Sequence, residues 1–469
     1  MARIILIVLL FIFSYINTTL SAQTVEGDWK GTLEVQGTKL TINFHISKTD
    51  NGYTSTMDSP DQGAMGIPTS STSFTENQLV ITVDNIQVTY TGTLKGDLIT
   101  GTFKQGSFET PLNFNRSTSE ETKKKTRPQD PEEPYPYHVE DIHFTNTKAN
   151  NIKLAGTLTL PKNIKNPPAA ILISGSGPQN RNEELLNHRP FLVLADYLTR
   201  NGIAVLRYDD RGVAESEGVH KGATSADFAT DVEAAVAYLK SRNDIDRKKI
   251  GLVGHSEGGF IAPMVASKNK TLAFVVLLAG TGIDGEKVLL TQSKRAQELA
   301  GEPAEVIDFR EELLKKTFNV VKVENDQSKI ETKIQESLRN FRNQNSNNSL
   351  TETLTDKLIQ SQARTFSDPW MVYFIKTNPE QFLSKVKCPV LAINGEKDFQ
   401  VIPELNLPGI ESALKLAKNK DVTIKELKDL NHLFQTSETG SPDEYSVIEE
   451  TFSPEALAIV KDWILAKTK

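Results

Sequence analysis

Ser256 stands inside Gly254-His255-Ser256-Glu257-Gly258, with Gly259 directly behind. A serine between glycines at this spacing can act as a nucleophile when an apolar strand leads into it and a helix leads away. The tight turn then lifts the hydroxyl clear of the sheet. Both flanks are present: Ile250 to Val253 is apolar, and Phe260 to Ala266 has the small and apolar residues of a closely packed helix. Strand and helix approach so closely at such a turn that neighbouring positions cannot carry side chains, and the backbone is strained. The turn also points the Glu257 amide and the helix N-terminus at any oxyanion forming on the group attacked.

A serine hydroxyl is a poor nucleophile at neutral pH. It needs a base within hydrogen-bond reach and a carboxylate that orients the base. In a parallel sheet every strand after Ser256 delivers its C-terminal end to the same edge. The seven histidines sort on that basis. His45 precedes the alternating region, His138 and His143 fall in its entry hairpin, His188 and His220 lie in loops, and His255 points elsewhere on so tight a turn. His432 alone follows the final strand, Val422 to Leu427, at the correct edge. For the acid, the end of Val390 to Asn394 offers Asp398, which is favoured, and Glu396 as the fallback; the loop after Ala273 to Ala279 has no carboxylate before Asp284. The second oxyanion donor is expected from Ser174-Gly175-Ser176-Gly177-Pro178, after the apolar strand Ala169 to Ser174. The Ser176 amide is favoured, with Gly177 left open. Asp209 and Arg211, near the same edge, are expected to form a structural ion pair. This chemistry requires no metal and no organic cofactor.

Such residues need a scaffold. From Tyr137 onward strands alternate with helices: a hairpin of Val139 to Thr145 and Lys153 to Leu160, then helices Pro190 to Asn201 and Ala226 to Arg242 between apolar strands. That alternation implies a doubly wound parallel sheet covered on both faces. It stops near Asp284 and resumes near Pro389, so the helical, often charged stretch at about 284–382 reads as an inserted cap. Its aromatic run, Phe366, Trp370, Met371, Tyr373, Phe374, Ile375 and Phe382, either lines an acyl pocket or packs the cap on the body. Residues 23–116 instead show short alternating runs with hairpin turns at Asn51-Gly52 and Gly96-Asp97, which imply a small all-β barrel or sandwich. Residues 117–136, with Lys123-Lys124-Lys125 and four spaced prolines beginning at Pro128, read as an extended spacer before the domain 137–469.

At the N-terminus Arg3 precedes an apolar stretch, Ile4 to Ile16, and a polar segment ending at Ala22. Residues 1–22 therefore read as a signal peptide cleaved after Ala22, which implies an exported protein, periplasmic or secreted, without stable membrane insertion after cleavage. The rival is an uncleaved anchor. A lone cysteine, Cys388, allows no internal disulfide and reads as a small buried residue. With a net charge of −7 there is no basic excess to hold a phosphate backbone, so nucleic acid is not an expected partner.

Taken together, five stretches carry a resemblance. They are Ile173 to Arg181 (ISGSGPQNR), Tyr208-Asp209-Asp210-Arg211-Gly212, Gly254 to Gly259, Asn394 to Asp398 (NGEKD) and Leu430-Asn431-His432. From about Tyr137 to Lys469 the chain resembles α/β-hydrolase serine esterases, particularly bacterial acyl-ester hydrolases with a helical cap. The order Ser256, Asp398, His432 is that of these enzymes. The resemblance implies hydrolysis of carboxylic esters of small or medium acyl groups. One departure is Ser174-Gly175 where such enzymes usually have His-Gly. Gly27-Asp28-Trp29-Lys30-Gly31 resembles the opening of lipocalin-like barrels, which implies a β module able to bind an unknown ligand.

Three rival readings use the same residues differently. A peptidase of the prolyl-oligopeptidase type shares the triad order, but the β region is too short for its usual propeller. Gly280-Thr281-Gly282-Ile283-Asp284-Gly285 literally matches the dinucleotide pattern G-x-G-x-x-G, at a strand already explained. An exported binding protein, with the β module as its working part, is the non-enzyme alternative.

Overall fold

In the computed structural model, residues 24–35, 38–49, 52–59, 64–106, 108–117 and 127–469 are described. The expected signal segment 1–22, Asn51 of the first expected hairpin turn, and residues 118–126 of the expected spacer lie outside them. The chain divides into two compact units, Met1–Lys124 and Lys125–Lys469.

The first unit is one curled antiparallel sheet. Its strands are β1 (Gly27–Val35), β2 (Thr38–Thr49), β3 (Gly52–Ser59), β4 (Ala64–Pro68), β5 (Ser71–Thr75), β6 (Gln78–Val83), β7 (Val88–Lys95), β8 (Leu98–Gln105) and β9 (Phe108–Ser117). They lie in the order β4-β3-β2-β1-β9-β8-β7-β6-β5. The two edge strands, β4 and β5, are separated by Thr69 and Ser70 alone, so the sheet must curl until its ends approach. Side chains of β3, next to the edge strand β4, reach β5 at the other end: Ser55 Oγ lies 2.7 Å from Thr72 Oγ1, and the Tyr53 and Phe74 rings meet edge-on at 5.9 Å. The interior is filled by Trp29, Phe44, Tyr90, Phe103 and Phe114, with Phe114 packed 4.9 Å from both Phe44 and Tyr90. Trp29, from the Gly-x-Trp opening, donates its indole N–H to Val25 O at 2.8 Å and lies under the Arg116 guanidinium at 4.2 Å.

The second unit holds an eight-stranded sheet in the order β10-β11-β13-β12-β14-β15-β16-β17. The strands are β10 (Tyr137–Asn146), β11 (Ile152–Pro161), β12 (Ala169–Ile173), β13 (Ala204–Tyr208), β14 (Ile250–His255), β15 (Val275–Leu278), β16 (Val390–Gly395) and β17 (Val422–Leu427). β10, β11 and β13 pair antiparallel in turn; all later neighbours pair parallel. From β12 the chain runs through α1 (Pro190–Arg200) to β13 on one side, then back through α2 (Ser225–Ser241) to β14 on the other. The order reverses at this point, so the loops after β12 and β14 open a crevice at the C-terminal edge.

The period-two alternation of the strands divides the core. Ile171 and Leu252 pack beneath α2, α3 (Glu257–Lys268) and α10 (Pro403–Leu416), while Ala170, Leu172 and Val253 pack beneath α1 and α11 (Pro454–Lys467). Between β15 and β16 six helices are inserted: α4 (Gly285–Leu299), α5 (Ala304–Val323), α6 (Gln327–Gln344), α7 (Asp356–Phe366), α8 (Pro369–Lys376) and α9 (Glu380–Leu383). They have a core of their own, including Phe309, Phe318, Ile330, Ile334 and Leu338.

Of the aromatic run, Phe374 and Phe382 pack the inserted helices on the body, while Trp370 both packs and borders a cavity. Phe374 and Phe382 lie edge-on against Phe260 of α3 at 5.7 and 6.1 Å, and Trp370 stacks on Phe374 at 5.6 Å. The literal dinucleotide match also has a packing explanation. A Cβ on Gly282 would stand 2.0 Å from Asn406 O of α10, and one on Gly285 would stand 2.1 Å from Phe374 O of α8. These glycines let helices cross the backbone, and those helices fill the space a pyrophosphate would need. From Arg127 the spacer lies along the second unit: Arg127 donates to Leu186 O, Ser446 O and Ile448 O, and Gln129 to Phe452 O. Among the described residues no helix is long and apolar enough to cross a membrane.

Candidate active site

The turn at Ser256 has the geometry its glycines imply. Ser256 adopts φ 51° and ψ −114°, a conformation side chains rarely take, and its N–H donates to Leu278 O at 2.8 Å. A Cβ on Gly254 would meet Gly258 O at 2.0 Å, and one on Gly258 would meet Ile173 O at 2.0 Å. The loop after β12 therefore passes directly over the start of α3. An ideal Cβ on Gly175 would lie 3.3 Å from Ser256 Cβ, so the first glycine of that loop borders the serine.

Asp398 and His432 come together at the ends of β16 and β17. His432 Nδ1 donates to Asp398 Oδ2 at 2.8 Å, with both side chains almost fully buried. The other carboxylate oxygen accepts from the amides of Gln400 at 2.8 Å and Val401 at 2.9 Å, which fixes the plane of the carboxylate. Glu396, the fallback, is engaged elsewhere and accepts from the Asp429 amide at 3.0 Å. The His432 loop is braced by buried Asn431, whose Oδ1 accepts from the amides of Leu433 and Gln435, both at 3.0 Å. Among the described residues no hydrogen bond joins Ser256 Oγ to His432. The two sites are linked through His255, whose Nε2 donates to His432 O at 3.0 Å and whose ring centroid is 4.9 Å from that of His432.

Three carboxylates hold the loop that carries Gly175, Ser176 and Gly177. Glu183 Oε1 accepts from the Gly175 amide at 2.6 Å. Asp210 accepts from Ser174 Oγ and the Gln179 amide, both at 2.9 Å. Asp209 accepts from the Arg181 amide at 2.7 Å and pairs with the Arg181 guanidinium at 2.6 Å. The expected Asp209–Arg211 ion pair is thus replaced by two: Arg211 binds Asp231 of α2 at 2.7 Å instead. The reason is directional. The chain turns after β13 ends at Tyr208, so Asp209 meets Arg181 of the loop after β12 while Arg211 reaches α2. Burial pushes the Asp210 carboxyl well above the usual range.

Two features escaped the sequence reading. The first is the Glu257 side chain, considered only for its amide. It is buried, and its Oε1 accepts from Ser225 Oγ at 2.6 Å and from the Trp370 indole at 2.7 Å, tying the inserted helices to the residue after the serine. Burial raises its pKa. The second is Glu183, which also accepts from His255 Nδ1 at 2.9 Å. Beside the oxyanion loop lies a cavity of about 300 Å³ bordered by Ser176, Gly177, His220, Lys221, Asp368 and Trp370. Among the described residues no group of His, Cys, Asp and Glu side chains is arranged to hold a metal ion.

The model of the family described as serine aminopeptidase, S33 (Hydrolase_4) matches residues 189–438, more than half of the chain. Esterase EstD of Thermotoga maritima is 27% identical over 315 residues, 66% of this chain and 65% of its own length. The chain thus spans just under two thirds of that relative. Among solved structures, the Pyrococcus furiosus esterase Pf2001 superposes with a TM-score of 0.43 at 16% identity, over 73% of this chain and 98% of its own. Est1E from Butyrivibrio proteoclasticus does so with a TM-score of 0.37 at 17% identity, over 70% and 98%.

Proposed function

Because the chain belongs to the serine aminopeptidase S33 family, we propose that it is a serine hydrolase that cleaves carboxylic esters through Ser256, His432 and Asp398. In this reading Ser256 Oγ attacks the ester carbonyl carbon while His432 Nε2 takes its proton. Asp398 keeps the other imidazole proton on Nδ1 and stabilises the imidazolium. The amides of Glu257 and Ser176 hold the oxyanion. The imidazolium returns its proton to the leaving alkoxide, giving an alcohol and an acyl-enzyme. Water, deprotonated by His432, then releases the carboxylic acid and restores Ser256.

The observation that carries this reading is the buried Asp398–His432 hydrogen bond of 2.8 Å, set at the sheet edge where Ser256 occupies a strained turn. The Gly175 amide is engaged by Glu183, which leaves the Ser176 and Gly177 amides for the second oxyanion donor, with Ser176 the one favoured. The cavity of about 300 Å³ beside that loop is at the small end for ligand pockets and supports small or medium acyl substrates. A ligand of the β unit would have to bind outside it, because aromatic rings fill the interior. We further propose that the protein acts after export.

The test is Ser256→Ala. Hydrolysis of short p-nitrophenyl esters should fall at least about 10⁴-fold, and a fluorophosphonate should label the native protein at Ser256 but not the variant. Full ester hydrolysis by the variant would overturn the assignment. The family description favours a second reading, a peptidase using the same residues, with an amine in place of the alkoxide. Aminoacyl amides assayed beside esters on the same protein separate the two by their kcat/KM.

A further inference from the structure

We propose that Glu183 is a positioning residue of this site, holding the oxyanion loop and the loop of the general base with a single carboxylate oxygen. The inference rests on Ser256 and His432 being the reacting pair. Glu183 Oε1 accepts from Gly175 N at 2.6 Å and from His255 Nδ1 at 2.9 Å. The opposite nitrogen of that imidazole, Nε2, donates to the backbone carbonyl of His432 at 3.0 Å. One chain of hydrogen bonds therefore runs from the residue before Ser176, through Glu183 and His255, to the residue carrying the base.

The chemistry of each partner fixes the direction of the chain. A carbonyl oxygen can only accept, so His255 Nε2 carries a proton. Nδ1 faces a carboxylate, which favours a proton there as well. Burial pushes the His255 pKa down, but the charge and hydrogen bond of Glu183, the His432 carbonyl and the charge of Asp398 outweigh it, and the value is raised. His255 thus bridges a carboxylate and a carbonyl, both acceptors. Both side chains of the pair are more than nine-tenths buried. The backbone at Glu183 is also in the left-handed region, φ 51°, a conformation the surroundings must enforce. A Cβ on Gly175 would come within 3.2 Å of Glu183 Oε1 as well as beside Ser256, so the glycine, the carboxylate and the nucleophile are mutually close-packed.

During acylation the oxyanion forms beside Ser176 while positive charge develops on His432. Both groups must keep their places within a fraction of an ångström, and misplacement by about 1 Å costs on the order of 10²-fold. Glu183 supplies one anchor for both.

The experiment compares the full-length protein with Glu183→Ala, Glu183→Gln and Ser256→Ala, counting active sites with a fluorophosphonate and expressing kcat per titrated site. Glu183→Ala should lower kcat about 10²-fold with KM changed less than about threefold. Glu183→Gln should recover to within about tenfold of the native kcat, because its Oε1 stands where the two contacts converge and still accepts from Gly175 N, while only the charge facing His255 is lost. Loss of folding alone would reduce the number of titratable sites and leave kcat per site intact. A native kcat per site in Glu183→Ala, or a Gln variant no better than the Ala variant, would overturn the inference. Should Glu183→Ala yield no folded protein, His255→Phe tests the same link: a comparable loss of kcat supports it and an unchanged kcat overturns it. If Ser256→Ala stays fully active, the hydrolase reading fails and this inference with it; if only the Glu183 and His255 variants behave as native, the inference alone fails.

Discussion

Asp398 divides its carboxylate between two tasks, one oxygen on His432 Nδ1 and one on the amides of Gln400 and Val401. An asparagine there would keep the amide bonds and present its NH₂ to His432, forcing the imidazole proton onto Nε2, where Ser256 needs an acceptor. Asp398→Asn should therefore lower kcat by about 10³- to 10⁴-fold with little change in thermal stability. Glu396→Gln still accepts from Asp429 N and should stay within about twofold of native. Steady-state kinetics on one p-nitrophenyl ester checks both, and comparable losses in the two variants would contradict the assignment of Asp398. Asp398 and His432 were legible because strand ends are legible: an apolar run followed by a polar cluster marks a position on the sheet edge. Glu183 was not, because it lies in a polar loop without periodicity and its bonds go to residues far away in sequence. For Asp209 and Arg211 the sequence showed an ion-pairing pair of charges but not that they would face opposite ways.

Elements were legible where hydrophobic periodicity was strong and obscure where backbone contacts replaced it. The helix α10 contains Pro408-Gly409, a pair that in sequence reads as a breaker. It begins at Pro403, and Gly409 is needed inside it: a Cβ there would stand 2.3 Å from Gly282 O. Strand β5, Ser-Thr-Ser-Phe-Thr, buries no residue fully and so shows no core alternation, although it closes the curl of the sheet. On that sheet, His45 on β2 bridges Asp28 of β1 at 2.7 Å and Asp58 of β3 at 2.8 Å. Partial burial pushes its pKa down, but the hydrogen bonds and charges of the two carboxylates outweigh this, and the value lies above the ordinary 6.5. A raised folded-state pKa means that the stabilisation is fully present below about pH 6.5 and is lost as pH rises through the folded value. The first unit should thus melt at lower temperature as pH rises from about 6 to above that value, and His45→Gln should remove this component. The side chain is about a third exposed, so the shift should be modest and shrink with salt. A melting temperature whose pH dependence is the same in the variant would refute the role of His45.

The molecule as a whole has hydrophobic cores that share no residue between the units: one fills the curled sheet, and the others lie within residues 125–469. Every group placed in the proposed chemistry, from Gly175 to His432, also belongs to the second unit, and so do the helices inserted over its sheet. A core of its own in each unit makes separate cooperative unfolding of the two units the expectation. Calorimetry of the full-length protein should show two transitions, and the one whose pH dependence changes in His45→Gln is that of the first unit. A protein comprising residues 125–469 should keep the second transition and hydrolyse short esters with kcat within about twofold of native. The first unit would then be a passenger in the chemistry. A single concerted transition, or a truncated protein that folds but loses kcat per titrated serine, would show instead that the curled sheet completes the hydrolytic site.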